Sequence, residues 1–543
     1  MARKPAVAQT QDDPAAAATP GAFDFKAHKA RREAAAKVRL EFQPLLDEAF
    51  KYAIPFRKGR RDGAQGEKRV NQVFDHTAID SAFRFAGKLQ QDIWPAGSEN
   101  FQLEPGPVVR DKAEHDTLAA YLNATTAICQ AFFDDGAFDM ALHEAALELS
   151  AGNCNLLMNP AANDEPEKLW EPIAVPIDEV TWELGPNNSI AAYFWPCKMS
   201  HRVLFDTWPE GKFSERLKKL FKDSPEKEIT VHRDVVWERR SKRWVQYVTT
   251  DKPEDGVIFR DESRTCPMAG VRYFRVPGET YGRGPVMLAM PSIKTLNTAK
   301  RLQLQAAAIA MLGIYTAVDD GVFNPDLSDL APGTFWKVAR NGGPMGPSVT
   351  RFPDPRVDLS GLIVENMQMD VKATMMDQAL PVESAAVKSA TEILERVKRL
   401  AQDHIGAYGR LVRELVVPVV RRVLELAYNR GLLQQDIPID QLLIKVKVKS
   451  PLALAREGQR VQRIVEWLQM VLAITAATGD PRMATYVAKI EDSLRKIGTE
   501  LGVPPELVVS AADGEAKRKA DQEHDLAMAA AAAAGVVKPQ AAA

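Results

Sequence analysis

The strongest pattern along the chain is helical. Leu394, Val397, Ala401, Ile405, Tyr408, Val412, Leu415, Val419, Val423 and Leu426 step by three or four residues, the spacing that gathers side chains on one face of an α-helix. Over residues 390–430 this predicts a helix of about 60 Å at a rise of about 1.5 Å per residue. Ser389-x-x-Glu392 fits a capping box at its start. Pro418 should kink it, and Gly431 should end it. A second helical run, Pro285 to Ile314, has no acidic residue and no central glycine. Leu302, Ala306, Ile309 and Leu312 share a face there, and the run is rich in Ala, Gln and Thr. A helix so apolar and small-residue-rich packs against close neighbours. Leu359 to Gln378 is a third helical run, with Met367, Met369, Met375 and Met376. Between these two, residues 315–358 are broken by Asp319-Asp320-Gly321, Asn324-Pro325, Ala331-Pro-Gly333 and Gly342-Gly343-Pro344. Phe335-Trp336-Lys-Val338 reads as a strand. The expectation is two long helices carrying a small β module at their far tip.

The N-terminal half mixes periods. Leu118–Phe133 and Phe138–Leu149 read as helices separated at Asp134-Asp135-Gly136. From 170 to 280 the chain turns strand-like. Val180–Leu184 and Ile190–Trp195 flank the turn cluster Gly185-Pro-Asn-Asn188, a hairpin signal. Val235–Trp237, Trp244–Val248 and Val257–Phe259 are further short strands, and Ile444–Val448 is one more near the C-terminus. Residues 454–478, 482–496 and 515–530 read as helices. Seven of the nine Trp lie between 94 and 244, which places them in a mixed core; a platform for stacking bases or sugars is the alternative. Residues 1–22 are Ala-, Pro- and Asp-rich, too poor in large apolar side chains to offset ordering entropy, and are expected to be disordered. The charged run from Phe25 reads as a surface helix.

Composition narrows the classes. The chain has 543 residues, 45% hydrophobic and 26% charged, and its net charge is −2. A globally basic nucleic-acid coat is excluded, whereas a locally charged surface facing DNA is not. Four cysteines, Cys129, Cys154, Cys197 and Cys266, are too scattered for a disulfide framework or a zinc site. No apolar run reaches the roughly 18–20 residues of a membrane helix, so no membrane partner is expected.

Candidate chemistry is sparse. No G-x-x-x-x-G-K-[ST] phosphate loop and no G-x-S-x-G elbow occur. Gly282-Arg-Gly284 lacks the third glycine of a dinucleotide fingerprint, because position 287 is Met, and marks a bend before a helix. His143-Glu144 lacks the second histidine of a zinc-protease motif, since position 147 is Leu. Asp319-Asp320 reads as turn chemistry rather than a metal site. Lys445, Lys447 and Lys449 alternate on one strand face, a solvated edge or a nucleic-acid contact. No catalytic residue, metal ligand or cofactor is assigned.

The order of segments resembles that of the portal, or head–tail connector, proteins of short-tailed bacteriophages. Phe74-Asp-His-Thr-Ala-Ile-Asp-Ser-Ala-Phe83 with the exit Ile93-Trp-Pro-Ala-Gly97 is similar to that family's early helix. Glu392–Leu426, containing Leu415-Val-Val-Pro-Val-Val-Arg-Arg-Val-Leu424, resembles its long wing helix. Lys496-Ile-Gly-Thr-Glu-Leu-Gly-Val503 with the Ala/Met-rich tail resembles its C-terminal end. The likeness spans roughly 30–530, and 200–280 does not align residue by residue.

The resemblance implies an α+β, mainly helical portal fold. It divides the chain into a disordered arm (1–26), a wing (27–284, with the long kinked helix 390–431), stem helices (285–314 and 359–378), a clip (315–358), a tunnel loop (379–389), a crown (432–530) and a low-complexity tail (531–543). It implies a homo-oligomeric ring, usually of twelve copies, at one capsid vertex. Double-stranded DNA passes its channel without sequence preference, driven by a separate terminase. Tail adaptor or nozzle proteins dock on the clip, where Phe335 and Trp336 lie, and major capsid and scaffolding proteins surround the ring. The loop residues Leu380, Pro381, Val382, Glu383, Ser384 and Lys388 would face the channel. The first stem helix carries Lys294, Lys300 and Arg301; the second carries Glu365, Asp370 and Asp377 against Lys372, so the two are expected to pair across subunits. The competing classes are a soluble multidomain enzyme with an unrecognised site, and a minor capsid or assembly protein without a channel.

Overall fold

The computed structural model describes residues 23–57, 73–109, 112–161, 168–312, 315–317, 349–351, 357–377, 405–434, 444–449 and helical stretches at 463–473, 475, 490–500, 514, 517–523 and 526–527. In chain order the helices are α1 (Phe25–Ala53), α2 (Thr77–Ile93), α3 (Lys112–Gln130), α4 (Ala137–Ser150), α5 (His201–Thr207), α6 (Glu215–Asp223), α7 (Pro285–Leu312), α8 (Val357–Thr374), α9 (Ile405–Leu411), α10 (Val417–Asn429) and α11 (Ile490–Glu500). The strands are β1 (Phe101–Pro105), β2 (Asn153–Pro160), β3 (Trp170–Val175), β4 (Thr181–Leu184), β5 (Ile190–Ser200), β6 (Glu228–Glu238), β7 (Arg243–Thr250), β8 (Val257–Ser263), β9 (Met268–Arg272), β10 (Phe274–Arg275), β11 (Gly282–Arg283), β12 (Tyr315–Ala317), β13 (Val349–Arg351) and β14 (Ile444–Val448). The mixture is α+β. Helix α1 begins at Phe25, within the arm expected to run to residue 26. Its start is fixed by Asp24, whose carboxylate accepts from the Ala27 amide at 3.1 Å.

The chain divides into two compact units, one of residues 1–87, 137–381 and 407–431, the other of 88–136, 382–406 and 432–543. Residues 88–136 therefore group with C-terminal residues, whereas the sequence placed them inside one continuous wing.

In the first unit, β4-β5-β6-β7-β8 form an antiparallel meander and β3-β2-β9 a second, three-stranded antiparallel sheet. Strand β2 is buried at six consecutive positions; a strand covered on both faces shows no alternation, and its sequence signal is weak. Trp182 and Tyr193 of the meander, Leu46 and Phe50 of α1, Val286, Met290 and Ile293 of α7, and Val364, Val371 and Met375 of α8 share one buried core. Trp182 stacks on Tyr281 with ring centroids 5.0 Å apart, and its indole N–H donates to Asn155 Oδ1 at 2.8 Å. Helices α5 and α6 cover the far end of the meander, burying Leu204, Trp208 and Leu217 against Val231, Val248 and Ile258.

Buried ion pairs fasten α1 to this body. The Arg32 guanidinium donates to Asp234 at 2.7 Å and to the Thr249 hydroxyl at 2.6 Å. Arg57 donates to Glu148 and Asp178, and Arg39 donates to Asp178 at 3.1 Å and to the Ile177 carbonyl at 3.0 Å. Burial pushes the Glu148 carboxyl up despite Arg57, whereas at Asp178 the Arg57 and Arg39 charges outweigh burial and hold it below its ordinary value.

The long helix is observed from Ile405 onward; its expected start at Ser389 and Glu392 lies outside the described residues. Between α9 and α10, Val412–Val416 form a π-helical turn. Pro418 follows in the first turn of α10. Proline has no N–H for the carbonyl four residues back, and its ring crowds that carbonyl. A widened π turn absorbs both defects, so the kink expected at Pro418 is realised as a bulge just before it. Gly431 ends the helix at φ 74°. Two contacts seat the helix. Glu414 in the π turn receives Arg272 in a two-pronged ion pair, and Glu425 accepts the backbone amides of Arg264 and Thr265 at 2.7 and 3.1 Å.

In the second unit, β1 and β14 form an antiparallel ribbon, with Trp94, Phe101 and Phe133 packed around it. Lys447 lies 3.5 Å from Glu104 and Lys449 2.9 Å from Glu99. Two of the three lysines on the strand are thus paired within the chain, and Lys445 is exposed.

Candidate functional site

Helix α7 leaves the body through a crossing that only glycine permits. A Cβ on Gly284 would lie 2.1 Å from the Ser150 carbonyl oxygen, and one on Gly152 (φ 122°) 2.6 Å from the Gly284 nitrogen. Asn153 clamps the crossing. Its side-chain amide donates to the Gly282 carbonyl at 2.8 Å and its oxygen accepts the Gly282 amide at 2.6 Å. Pro285 then opens the helix at the position where a missing N–H costs nothing. The Gly282-Arg-Gly284 segment is thus a bend before a helix, as its sequence suggests.

The chain returns along α7 as α8, with the antiparallel pair β12–β13 joining the far ends. Helix α8 stops in a Schellman arrangement. The Asp377 amide donates to the Lys372 carbonyl at 2.8 Å, the Met376 amide to the Ala373 carbonyl at 3.1 Å, and Met376 takes φ 60°. The Tyr273 hydroxyl donates to Met376 Sδ at 3.4 Å, holding this non-glycine residue in place.

The six charges expected to link neighbouring copies are all described. Lys294 forms an ion pair with Glu48 of α1. Arg301 sits over the Phe74 ring, 5.8 Å from its centroid. Asp377 is buried and accepts from the Ser81 hydroxyl at 2.8 Å and from Arg84 at 3.3 Å. Lys300 is half-buried, and Glu365 and Asp370 are exposed. Half of the set is therefore engaged inside the chain by α1, α2 and the segment before α2, elements far away in sequence. Two further polar contacts tie the same segment to the pair: the Phe74 amide donates to Asn297 at 2.7 Å, and Gln368 donates to Asp75 at 2.8 Å. Sequence spacing carries no signal for any of these partners. Leu380, Pro381, Val382, Glu383, Ser384 and Lys388, and Phe335 and Trp336, lie outside the described residues, as does Asp319-Asp320.

The apolar residues of the pair divide the same way. Val286, Ile293, Leu296, Val364 and Val371 are buried. Beyond Leu296 on α7, Leu302 is 59% exposed and Leu304 51%; on α8, Ile363 (45%) and Met369 (66%) are exposed beside the buried Val364 and Val371. Isolated exposed leucines are ordinary, but Leu302 and Leu304, two residues apart, point to different sides of α7, so the pair shows apolar side chains on more than one side, as helices with neighbours on both sides would.

A family model for the bacteriophage head to tail connecting protein matches residues 26–509, and so includes the whole helix pair. The chain belongs to that family. No curated protein matches the chain. A connector is a structural component of the phage particle rather than an enzyme, and it takes its place at the head–tail junction among capsid and tail partners. Among the described residues no helix is long and apolar enough to cross a membrane, and no cluster of His, Cys, Asp and Glu has the arrangement of a metal site.

Proposed function

We propose that this connector is the portal. It forms a ring at one capsid vertex, through which double-stranded DNA is packaged by a separate terminase and later ejected. The tail adaptor proteins dock once packaging ends, and capsid and scaffolding proteins surround the ring. The observation that carries the reading is the set of exposed apolar residues on the sides of the α7–α8 pair. In a ring, these stem helices stand side by side around the channel, and Leu302, Leu304, Ile363 and Met369 are covered by neighbouring copies. Lys300 then faces the exposed Glu365 and Asp370 of an adjacent stem. The segment 315–358 is the clip, 379–389 the tunnel loop and 432–530 the crown. The near-zero net charge suits a channel, because phosphate contacts dominate DNA affinity and a strongly basic lining would hold the duplex instead of letting it move.

Negative-stain electron microscopy of the purified full chain tests this. Rings with an axial hole are expected; discrete single-copy particles at the same concentration overturn it. The protein alone is expected to hydrolyse no ATP, and hydrolysis that persists through purification would favour the enzyme reading. Deleting Val382–Ala386 is expected to leave rings intact while impairing packaging or retention of DNA. Unchanged packaged genome length and particle yield would remove the loop's gating role.

A further inference from the structure

A cleft of about 590 Å³ opens in the first unit where the π turn and the start of α10 meet β9 and the β4–β5 turn. Its walls carry Arg264, Arg272, Arg275, Arg410, Arg413 and Arg421 against one acid, Glu414. Six positive charges less one negative leave +5 in a chain whose total is −2. A lining of this sign favours an anionic occupant. Burial, with the nearby Arg272 and Arg275 charges, lowers the Arg410 guanidinium below its ordinary value, although Glu414 pulls it the other way.

The cleft already displays its chemistry. Arg272 is buried, at 3% exposure, and grips Glu414 through Nη2 at 2.6 Å and Nε at 3.3 Å. Its Nη2 also donates to the Asn188 carbonyl at 3.3 Å, while Nη1 is buried with no hydrogen-bond partner. Asn187 and Asn188, on the rim, both take positive φ, near 60°. The guanidinium fork matches a carboxylate in two-pronged geometry. Ile190, Trp244 and Met268 supply apolar wall between the arginines.

We propose that this cleft docks an acidic segment of a partner protein, with carboxylates received by Arg275, Arg410 and Arg413 and an apolar side chain laid against Trp244 and Ile190. A duplex backbone is the less suitable occupant, since it needs an open basic track and gains nothing from apolar walls. The inference rests on the cleft alone and does not depend on the ring.

The test is fluorescence anisotropy of a labelled peptide alternating Asp or Glu with Leu or Phe, added to the full chain at low ionic strength. Binding that weakens with salt is expected, with none for the Asn/Gln counterpart. Arg410→Gln and Arg413→Gln should each weaken it by on the order of ten-fold, with an unchanged thermal midpoint. Lys219→Gln, on exposed α6, should not alter it. Peptide binding that survives Arg275→Gln/Arg410→Gln/Arg413→Gln overturns the proposal. So does displacement of the peptide by short duplex DNA or by inorganic phosphate at lower concentration than by unlabelled peptide. If the arginine variants instead dissociate an oligomer, the occupant is another copy of this chain and the proposal fails.

Discussion

The sheet body and the α7–α8 pair treat their apolar residues in opposite ways. In the body, Trp182 and Tyr193 each find both packing and a partner for the polar end. Trp182 reaches Asn155, and the Tyr193 hydroxyl accepts the Gly270 amide at 3.0 Å. The approach is so close that a Cβ on Gly270 would lie 2.8 Å from the Tyr193 ring. The helix pair buries Val286, Ile293, Leu296, Val364 and Val371 against the body. Its Leu288, Leu302, Leu304, Ile363 and Met369 face solvent. The body also leaves single apolar residues exposed, such as Leu40 on α1 and Met140 on α4, but on the pair five fall on two neighbouring helices. This difference makes the pair, rather than the body, the place to look for assembly.

Mutations sharpen the contrast. Trp182→Ala, in the body, should lose about 3–5 kcal/mol, the usual cost of a large aromatic cavity. It also strips Asn155 of a donor, so the denaturant midpoint should fall steeply; a loss below about 1 kcal/mol would show that the body is not the stable part. Asp178→Ala leaves Arg57 and Arg39 buried without their shared acid, and a loss of about 3 kcal/mol is expected in the same assay. In the helix pair, Leu302→Ser should change chain stability by no more than about 0.5 kcal/mol. A larger loss, measured on dissociated protein, would mean that the residue is already packed within one chain and would erase the distinction.

A further expected effect concerns acid. His28 lies between Phe23 and Tyr247, with ring centroids 4.3 and 5.1 Å away. Burial, reinforced by Arg31 and Arg32, lowers its pKa to about 4 from an ordinary 6.5. The unfolded chain therefore takes up this proton first as pH falls, so the histidine's contribution is whole above about 6.5 and is lost towards 4. His28→Phe should flatten the decline of the thermal midpoint between those values. A parallel decline in both proteins would assign the acid sensitivity elsewhere.

Much of the fold was readable where one local rule governed. The Gly185–Asn188 turn fixed the β4–β5 hairpin, Gly431 the end of the long helix, and Ile444–Val448 appears as the strand its alternation suggests. Of the seven tryptophans between 94 and 244, Trp94, Trp170, Trp182 and Trp208 are buried core, while Trp195, Trp237 and Trp244 are half-buried. Readability ended where tertiary contacts decide. Strand β2 is buried on both faces and lacks a period, and α5 and α6 are short helices that exist to roof a sheet end. The pairing of β1 with β14 spans most of the chain, and no local pattern announces it. The same holds for the candidate site. The charges of the α7–α8 pair were visible as a basic and an acidic helix, but Glu48, Phe74, Ser81 and Arg84, which engage three of them, were not. Arg410 and Arg413 stand one helical turn apart, a hint of the arginine cleft; Arg264, Arg272 and Arg275 join them only through the fold.

Assembly through the exposed sides of the helix pair is the central claim, and light scattering on a sizing column tests it most directly. The double substitution Leu302→Glu/Leu304→Glu places a carboxylate on each of two sides of α7, where burial against a neighbouring copy without a partner is prohibitive. The account predicts an oligomer for the unaltered chain and a folded single copy, with unchanged circular dichroism, for the variant. An oligomer of undiminished mass in the variant would contradict it.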